Sequence, residues 1–232
     1  MRLPYDVTKR FLLPVFFPFV CRWEIRRQSG PLPQGPLIVV ANHLSNFDIP
    51  LLLVAISRRI SFMAQEELFR FPYSPGFRLF ESFPVHRGRI DRNAFDRAKE
   101  ILKREDWALG MFPEGRKSAE AQLQPGRTGT ALVALRHDAY LLPVGIAGTE
   151  KVKERLNGLR SFLHRPVIKA NVGKPFKLPS AAGKLTRAHL ELCTDIIMRQ
   201  VAGLLPESYQ GVYKAQGHEV SQTTERTPAA VL

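Results

Sequence analysis

Five apolar residues in a row, Leu37-Ile38-Val39-Val40-Ala41, constrain the fold of this chain more than any other feature. A run this short reads as a buried strand. Comparable runs recur at 60–64, 83–86, 108–112, 140–147 and 167–172. They alternate with helical patterns. Asp91 is a good N-cap for a helix with apolar positions Ala94, Phe95, Ala98, Ile101 and Leu102. A second helical stretch, 126–137, carries Ala131, Leu132 and Leu135, and a third, 186–205, stops at Pro206. The stripe Leu190, Cys193, Ile197, Val201 and Leu204 on the third suits a core face. Strands alternating with helices predict an α/β fold: one domain, a mostly parallel central sheet flanked by helices. With 232 residues and 44% hydrophobic content, the chain can bury a sizeable core. The expected division is an apolar N-terminal segment over 1–30, a main domain over 31–210 and a disordered tail over 211–232.

Directly after the first strand comes Asn42-His43-Leu44-Ser45-Asn46-Phe47-Asp48. An imidazole takes up a proton near neutral pH, and a carboxylate can orient its ring and stabilise the charge it gains. On a regular helix, residues five apart lie roughly 140° apart and do not meet. His43 and Asp48 therefore touch only if the chain turns between them. Pro50 suits the first turn of a following helix, with Asn46 or Asp48 as its cap. That places His43 at a strand's C-terminal end, the edge where open α/β sheets bind ligands. Taken alone, the pair fits a loop histidine beside an N-cap better.

A second segment, Phe112-Pro113-Glu114-Gly115-Arg116-Lys117-Ser118, follows the apolar run Ala108-Leu109-Gly110-Met111. It joins a carboxylate, a flexible glycine and two cations in a strand-end loop suited to a polar, anionic substrate. By itself it also fits a solvated turn. Together these segments resemble the glycerolipid acyltransferase family typified by 1-acylglycerol-3-phosphate acyltransferase. Asn42 to Asp48 match its Asn-His-x4-Asp block. Phe112 to Gly115, with Ser118, match its Phe-Pro-Glu-Gly-Thr-Arg-Ser block. Phe83-Pro84-Val85-His86-Arg87 is similar to the block between them, and Leu142-Pro143-Val144-Gly145-Ile146 to the fourth. Leu123-Gln124-Pro125-Gly126-Arg127-Thr128-Gly129 is similar to the Pro-Gly stretch found before that fourth block. The chain departs at Arg116, where the family has threonine, at Lys117, where it has arginine, and at Glu81, where glycine is common. Lys117 keeps the charge but not the planar fork that grips phosphate through two hydrogen bonds, which Arg116 would supply from one position earlier.

The resemblance implies transfer of a fatty acyl group from a thioester to the hydroxyl of lysophosphatidic acid, giving phosphatidic acid. It assigns His43 as general base and Asp48 as its orienting partner, with direct transfer and no acyl-enzyme. Arg87, Glu114, Gly115, Arg116, Lys117 and Pro143 would form the acceptor site. The cations would meet the phosphate, and Glu114 would accept from a glycerol hydroxyl. Backbone N–H groups near Gly115 are candidate oxyanion donors. No cofactor and no metal are expected; acyl-CoA or an acylated carrier protein is the co-substrate. Another lysophospholipid or amphiphilic alcohol as acceptor, or an inactive membrane-binding relative, are the alternatives.

Phe11 to Cys21 is intensely apolar but too short to span a bilayer, which takes about 20 residues, and prolines interrupt it. Lys9, Arg10, Arg22, Arg26 and Arg27 flank it. This pattern fits a segment lying in the membrane interface, or a core helix packed on the sheet. The apolar, basic stretch 69–78 is a second lipid-facing candidate. A net charge of +13 draws the chain to polyanions. Anionic lipid attracts about 1 kcal/mol per basic residue near the surface. Nucleic acid is excluded as a partner because its binding motifs are missing and the cations are spread rather than striped. The expected location is the cytoplasmic face of a membrane, peripheral or monotopic. Two cysteines, Cys21 and Cys193, are too few for a disulfide scaffold or a zinc site and read as buried thiols.

Overall fold

The computed structural model describes residues 3–28, 30–65, 80–85, 91–118, 120–152, 165–180 and 183–214. Helix α1 (Leu3–Val7), a π-helical turn (Thr8–Leu12) and α2 (Leu13–Val20) lead into strand β1 (Arg22–Arg27). Then follow β2 (Leu37–Ala41), α3 (Asp48–Ala55), β3 (Arg59–Gln65), β4 (Phe83–Val85) and α4 (Arg92–Leu102). The chain continues through β5 (Trp107–Met111), α5 (Gly129–Arg136), β6 (Tyr140–Ala147), β7 (Val167–Val172) and α6 (Arg187–Ala202).

The strands form one seven-stranded sheet in the order β1-β7-β6-β2-β5-β3-β4. Every pairing is parallel except β6 with β7. β2 lies at the centre, and all five of its residues are buried. That is why its sequence is continuously apolar rather than alternating: helices cover both faces. β5 is buried throughout as well. Asp91 caps α4 by accepting from the Ala94 N–H at 3.1 Å, and Thr186 caps α6 by accepting from His189 N–H at 3.2 Å. On α4, Ala94, Ala98, Ile101 and Leu102 are buried, as its spacing predicts; Phe95 is half-buried.

Two stretches differ from the sequence expectation. Residues 22–27, assigned to the apolar N-terminal segment, form strand β1 of the sheet, paired in parallel with β7. Its charged sequence, Arg-Trp-Glu-Ile-Arg-Arg, hides a period of two in which only Trp23 and Ile25 turn inward. An edge strand tolerates such charges because one side of its ladder faces solvent. At the other end, Gly211–Tyr213 makes a 3-10 turn packed against Leu123. A Cβ on Gly211 would lie 2.2 Å from the Leu123 carbonyl oxygen, so this start of the expected tail is seated on the domain.

Tyr5 and Val20 of the N-terminal segment reach the core, whereas Phe11, Leu12, Val15 and Phe19 stand exposed. No helix among the described residues is long and apolar enough to cross a membrane. Stretch 69–78, His86 and Arg87 lie outside the described residues.

Candidate active site

β6, β2 and β5 are neighbours, and the loops leaving their C-terminal ends converge on His43. From β2, the chain turns through Ser45 to Asp48, the first residue of α3. Asp48 Oδ2 accepts from His43 Nδ1 at 2.7 Å, from Leu44 N–H at 2.7 Å and from Ser45 N–H at 2.8 Å. The carboxylate therefore folds back on the turn instead of capping the helix, whose cap position, Phe47, makes no side-chain capping bond. Asp48 is fully buried, while 13% of the His43 side chain stays exposed. Ser45 Oγ donates to the Thr149 carbonyl at 3.0 Å and accepts from Phe47 N–H at 3.1 Å. Its hydroxyl is thus committed to holding the turn.

From β6 comes Thr149, whose hydroxyl donates to Asp48 Oδ1. Asn42 fixes β2 to β6 by donating to the Ile146 carbonyl at 2.8 Å and accepting from Ile146 N–H at 2.7 Å. The sequence reading assigned no role to Thr149, and none to Asn42 beyond its place in the block. Thr149 lies 101 residues from Asp48, and no local pattern marks it.

From β5 comes Glu114, 2% exposed. Its Oε1 accepts from His43 N–H at 3.0 Å and its Oε2 from Gln124 N–H at 2.9 Å. Burial pushes its carboxyl up to about 7, against the lowering effect of those two amides. Instead of waiting for a glycerol hydroxyl, Glu114 braces the β2 loop against the loop of Gln124. Ser118 N–H closes the brace by donating to the His43 carbonyl at 2.8 Å. The imidazole itself lies flat on Phe112, with ring centroids 4.1 Å apart and planes 15° apart. Phe112 is backed in turn by Phe62 at 5.9 Å. Gly110 makes room for Phe62, because a Cβ there would lie 2.5 Å from its ring.

Gly115 adopts φ +68°, which suits glycine, and its N–H donates to the Phe112 carbonyl at 2.9 Å, so that amide is spent on the turn. Arg116 and Lys117 are exposed on the rim. Pro143 is not on the rim. It is buried in the interior of β6, level with Val40, where its carbonyl accepts from Gly173 N–H. The N–H that proline lacks would face Gly173, so only the carbonyl half of that pair is made and the β6–β7 ladder begins at Val144. No group of three or more His, Cys, Asp or Glu among the described residues is arranged to hold a metal.

This fold has solved relatives. The crystal structure of the 1-acyl-sn-glycerophosphate acyltransferase PlsC from Thermotoga maritima matches with a TM-score of 0.62 at 22% identity, over 86% of this chain and 79% of that one, a likeness of fold. A 1-acyl-sn-glycerol-3-phosphate acyltransferase of Chlamydomonas reinhardtii is 28% identical over 136 residues, 57% of this chain and 40% of that protein. An N-acylphosphatidylethanolamine synthase of Arabidopsis thaliana is 31% identical over 168 residues, 65% of this chain and 58% of that protein. These matches span 40% and 58% of the two curated relatives' lengths. The model of the family described as Acyltransferase matches residues 24–147, from β1 to the end of β6, a stretch that takes in Asn42, His43, Asp48 and Glu114. More than half of the chain lies within that match, and the chain belongs to the acyltransferase family.

Proposed function

We propose that the protein moves a fatty acyl group from an acyl thioester, of coenzyme A or a carrier protein, to the hydroxyl of lysophosphatidic acid, giving phosphatidic acid. The observation that carries this reading is the His43–Asp48 pair, 2.7 Å apart at the C-terminal edge of the sheet. With Nδ1 donating to Asp48, Nε2 of the neutral ring keeps its lone pair and can take the acceptor's hydroxyl proton. The hydroxyl oxygen attacks the thioester carbonyl carbon. The resulting tetrahedral intermediate then expels the thiolate, which leaves with the proton from His43. Ser45, the hydroxyl nearest in sequence, is committed to the turn, which supports transfer without an acyl-enzyme. Arg116, Lys117 and Arg87 would meet the acceptor's phosphate. The exposed side chains of Phe11, Leu12, Val15 and Phe19 would enter the interface of an anionic membrane on its cytoplasmic face.

The Arabidopsis relative favours a second reading, an amine acceptor. One assay separates the two. Radiolabelled acyl-CoA or acylated carrier protein is offered with lysophosphatidic acid, glycerol-3-phosphate, another lysophospholipid, phosphatidylethanolamine or a neutral alcohol. Label in phosphatidic acid, reduced about 10²- to 10⁴-fold by His43→Ala, is expected. Label in N-acylphosphatidylethanolamine instead would change the acceptor, and near-normal transfer by His43→Ala would remove His43 as the base.

A further inference from the structure

We infer that Arg127, in the Pro-Gly stretch between the third and fourth blocks, is a phosphate-binding and specificity-determining residue of the acceptor site; this rests on the acyl-transfer reading above. Arg127 belongs to the loop that joins β5 to α5 and is an exposed residue. Its side chain lies across Gly115. A Cβ at Gly115 would stand 3.0 Å from Arg127 Cδ and 3.1 Å from Nε, so the glycine makes the seat that the arginine occupies. The backbone under it is fixed at three points. Arg127 N–H donates to the Pro113 carbonyl at 2.8 Å, Gly126 N–H to the Tyr213 hydroxyl at 3.2 Å, and Gln124 N–H to Glu114 Oε2 at 2.9 Å. Glu114 in turn holds the backbone of His43. A planar cation is thereby stationed on a loop that Glu114 braces against the loop of the base, and among the described residues no carboxylate forms an ion pair with it.

Such a group suits a phosphate dianion, which a guanidinium fork grips through two parallel hydrogen bonds and an ammonium does not. The third block of this chain carries Lys117 where the family has arginine. Arg127, ten residues on from Lys117, adds a second fork to that of Arg116. Acyl-CoA also carries phosphates, so the acceptor and the donor must be tested apart.

The test is binding of octanoyl-lysophosphatidic acid and octanoylglycerol, below their micellar concentrations and without acyl donor, to wild type, Arg127→Gln and Arg127→Lys, together with the KM for acyl-CoA. Arg127→Gln is expected to weaken the phosphate-bearing ligand about 10- to 100-fold and leave octanoylglycerol and the KM for acyl-CoA unchanged. Arg127→Lys should fall between, because it keeps the charge and loses the fork. Equal changes for both ligands, or none, overturn the assignment. A raised KM for acyl-CoA with unchanged acceptor binding also overturns it and moves Arg127 to the donor. If wild type makes no phosphatidic acid but binds the phosphate-bearing ligand through Arg127, the acyl-transfer reading fails and this one stands. Transfer with an unaltered acceptor KM in Arg127→Gln gives the reverse.

Discussion

The loops around His43 and the helical segment at the N-terminus are held to the same sheet, yet they are finished in opposite ways. Around His43, both oxygens of Asp48 and both of Glu114 have a donor, and both carboxylates are buried. In the N-terminal segment one side is pinned. The Tyr5 hydroxyl accepts from Ile60 N–H at 2.6 Å, Asp6 pairs with Arg59 at 2.5 Å, and Lys9 donates to the Arg58 carbonyl at 2.6 Å. The other side leaves large apolar side chains in the open, Phe11 at 65% and Val15 at 64% exposed. A site that must hold one imbalance of charge still has no tolerance for an unpaired polar group. The proposed function assigns this apolar stripe, uncovered among the described residues, to a lipid surface.

The comparison breaks if the stripe only supports the fold. Changing Phe11 and Val15 together to Ser should lower partitioning onto anionic vesicles about a hundredfold, since burying each such side chain is worth roughly 1.5 kcal/mol or more. Thermal stability should barely move. Unchanged partitioning with a fallen Tm would show that these side chains support the fold instead.

Glu114→Gln probes the other half. Glutamine offers one oxygen and one NH2 where two backbone N–H groups point, so one amide loses its acceptor, at a cost of about 1–3 kcal/mol. The pH dependence sharpens this. The Glu114 carboxyl is raised by burial from the ordinary 4.5 to about 7. The folded protein therefore binds this proton more tightly than the unfolded chain does. Its stabilising contribution is full below pH 4.5 and is lost as pH rises through 7. Glutamine does not titrate, so wild type should exceed the variant in stability by more at pH 5 than at pH 8. Denaturant unfolding at the two pH values measures the difference. An equal gap at both would mean that Glu114 is not held in its neutral form by the fold.

The same contrast explains what the sequence disclosed. Both inner strands flanking His43, and the helices begun by Asp91 and Thr186, were legible because burial on two faces and helix capping leave local patterns. β1 was not, because Trp23 and Ile25 alternate with charges that an edge strand can carry. The turn between His43 and Asp48 was legible from their spacing and Pro50. The role of Glu114 was not, since a carboxylate beside glycine and two cations looks the same whether it faces a ligand or two backbone amides. Pro143 marked a real irregularity, but of the β6–β7 ladder rather than of the site.

Thr149 is the residue on which sequence reasoning had least to say and the geometry says most. Its hydroxyl donates to Asp48 Oδ1, the oxygen that does not touch His43, and its carbonyl holds Ser45. Thr149→Val keeps the shape and removes the hydroxyl, so Ser45 keeps its bond to the Thr149 carbonyl and Asp48 alone loses a partner. A lost hydrogen bond to a charged group is worth about 1.5–3 kcal/mol, though part of that falls on folding. The fall in kcat should be about tenfold, with KM for the acceptor little changed, because the residue acts through Asp48 and touches no substrate. Thr149→Ser, which restores the hydroxyl, should recover most of the rate. A variant that loses stability but keeps kcat would show that Thr149 serves the fold only. A rise in KM with kcat intact would place Thr149 against the acceptor rather than behind the base.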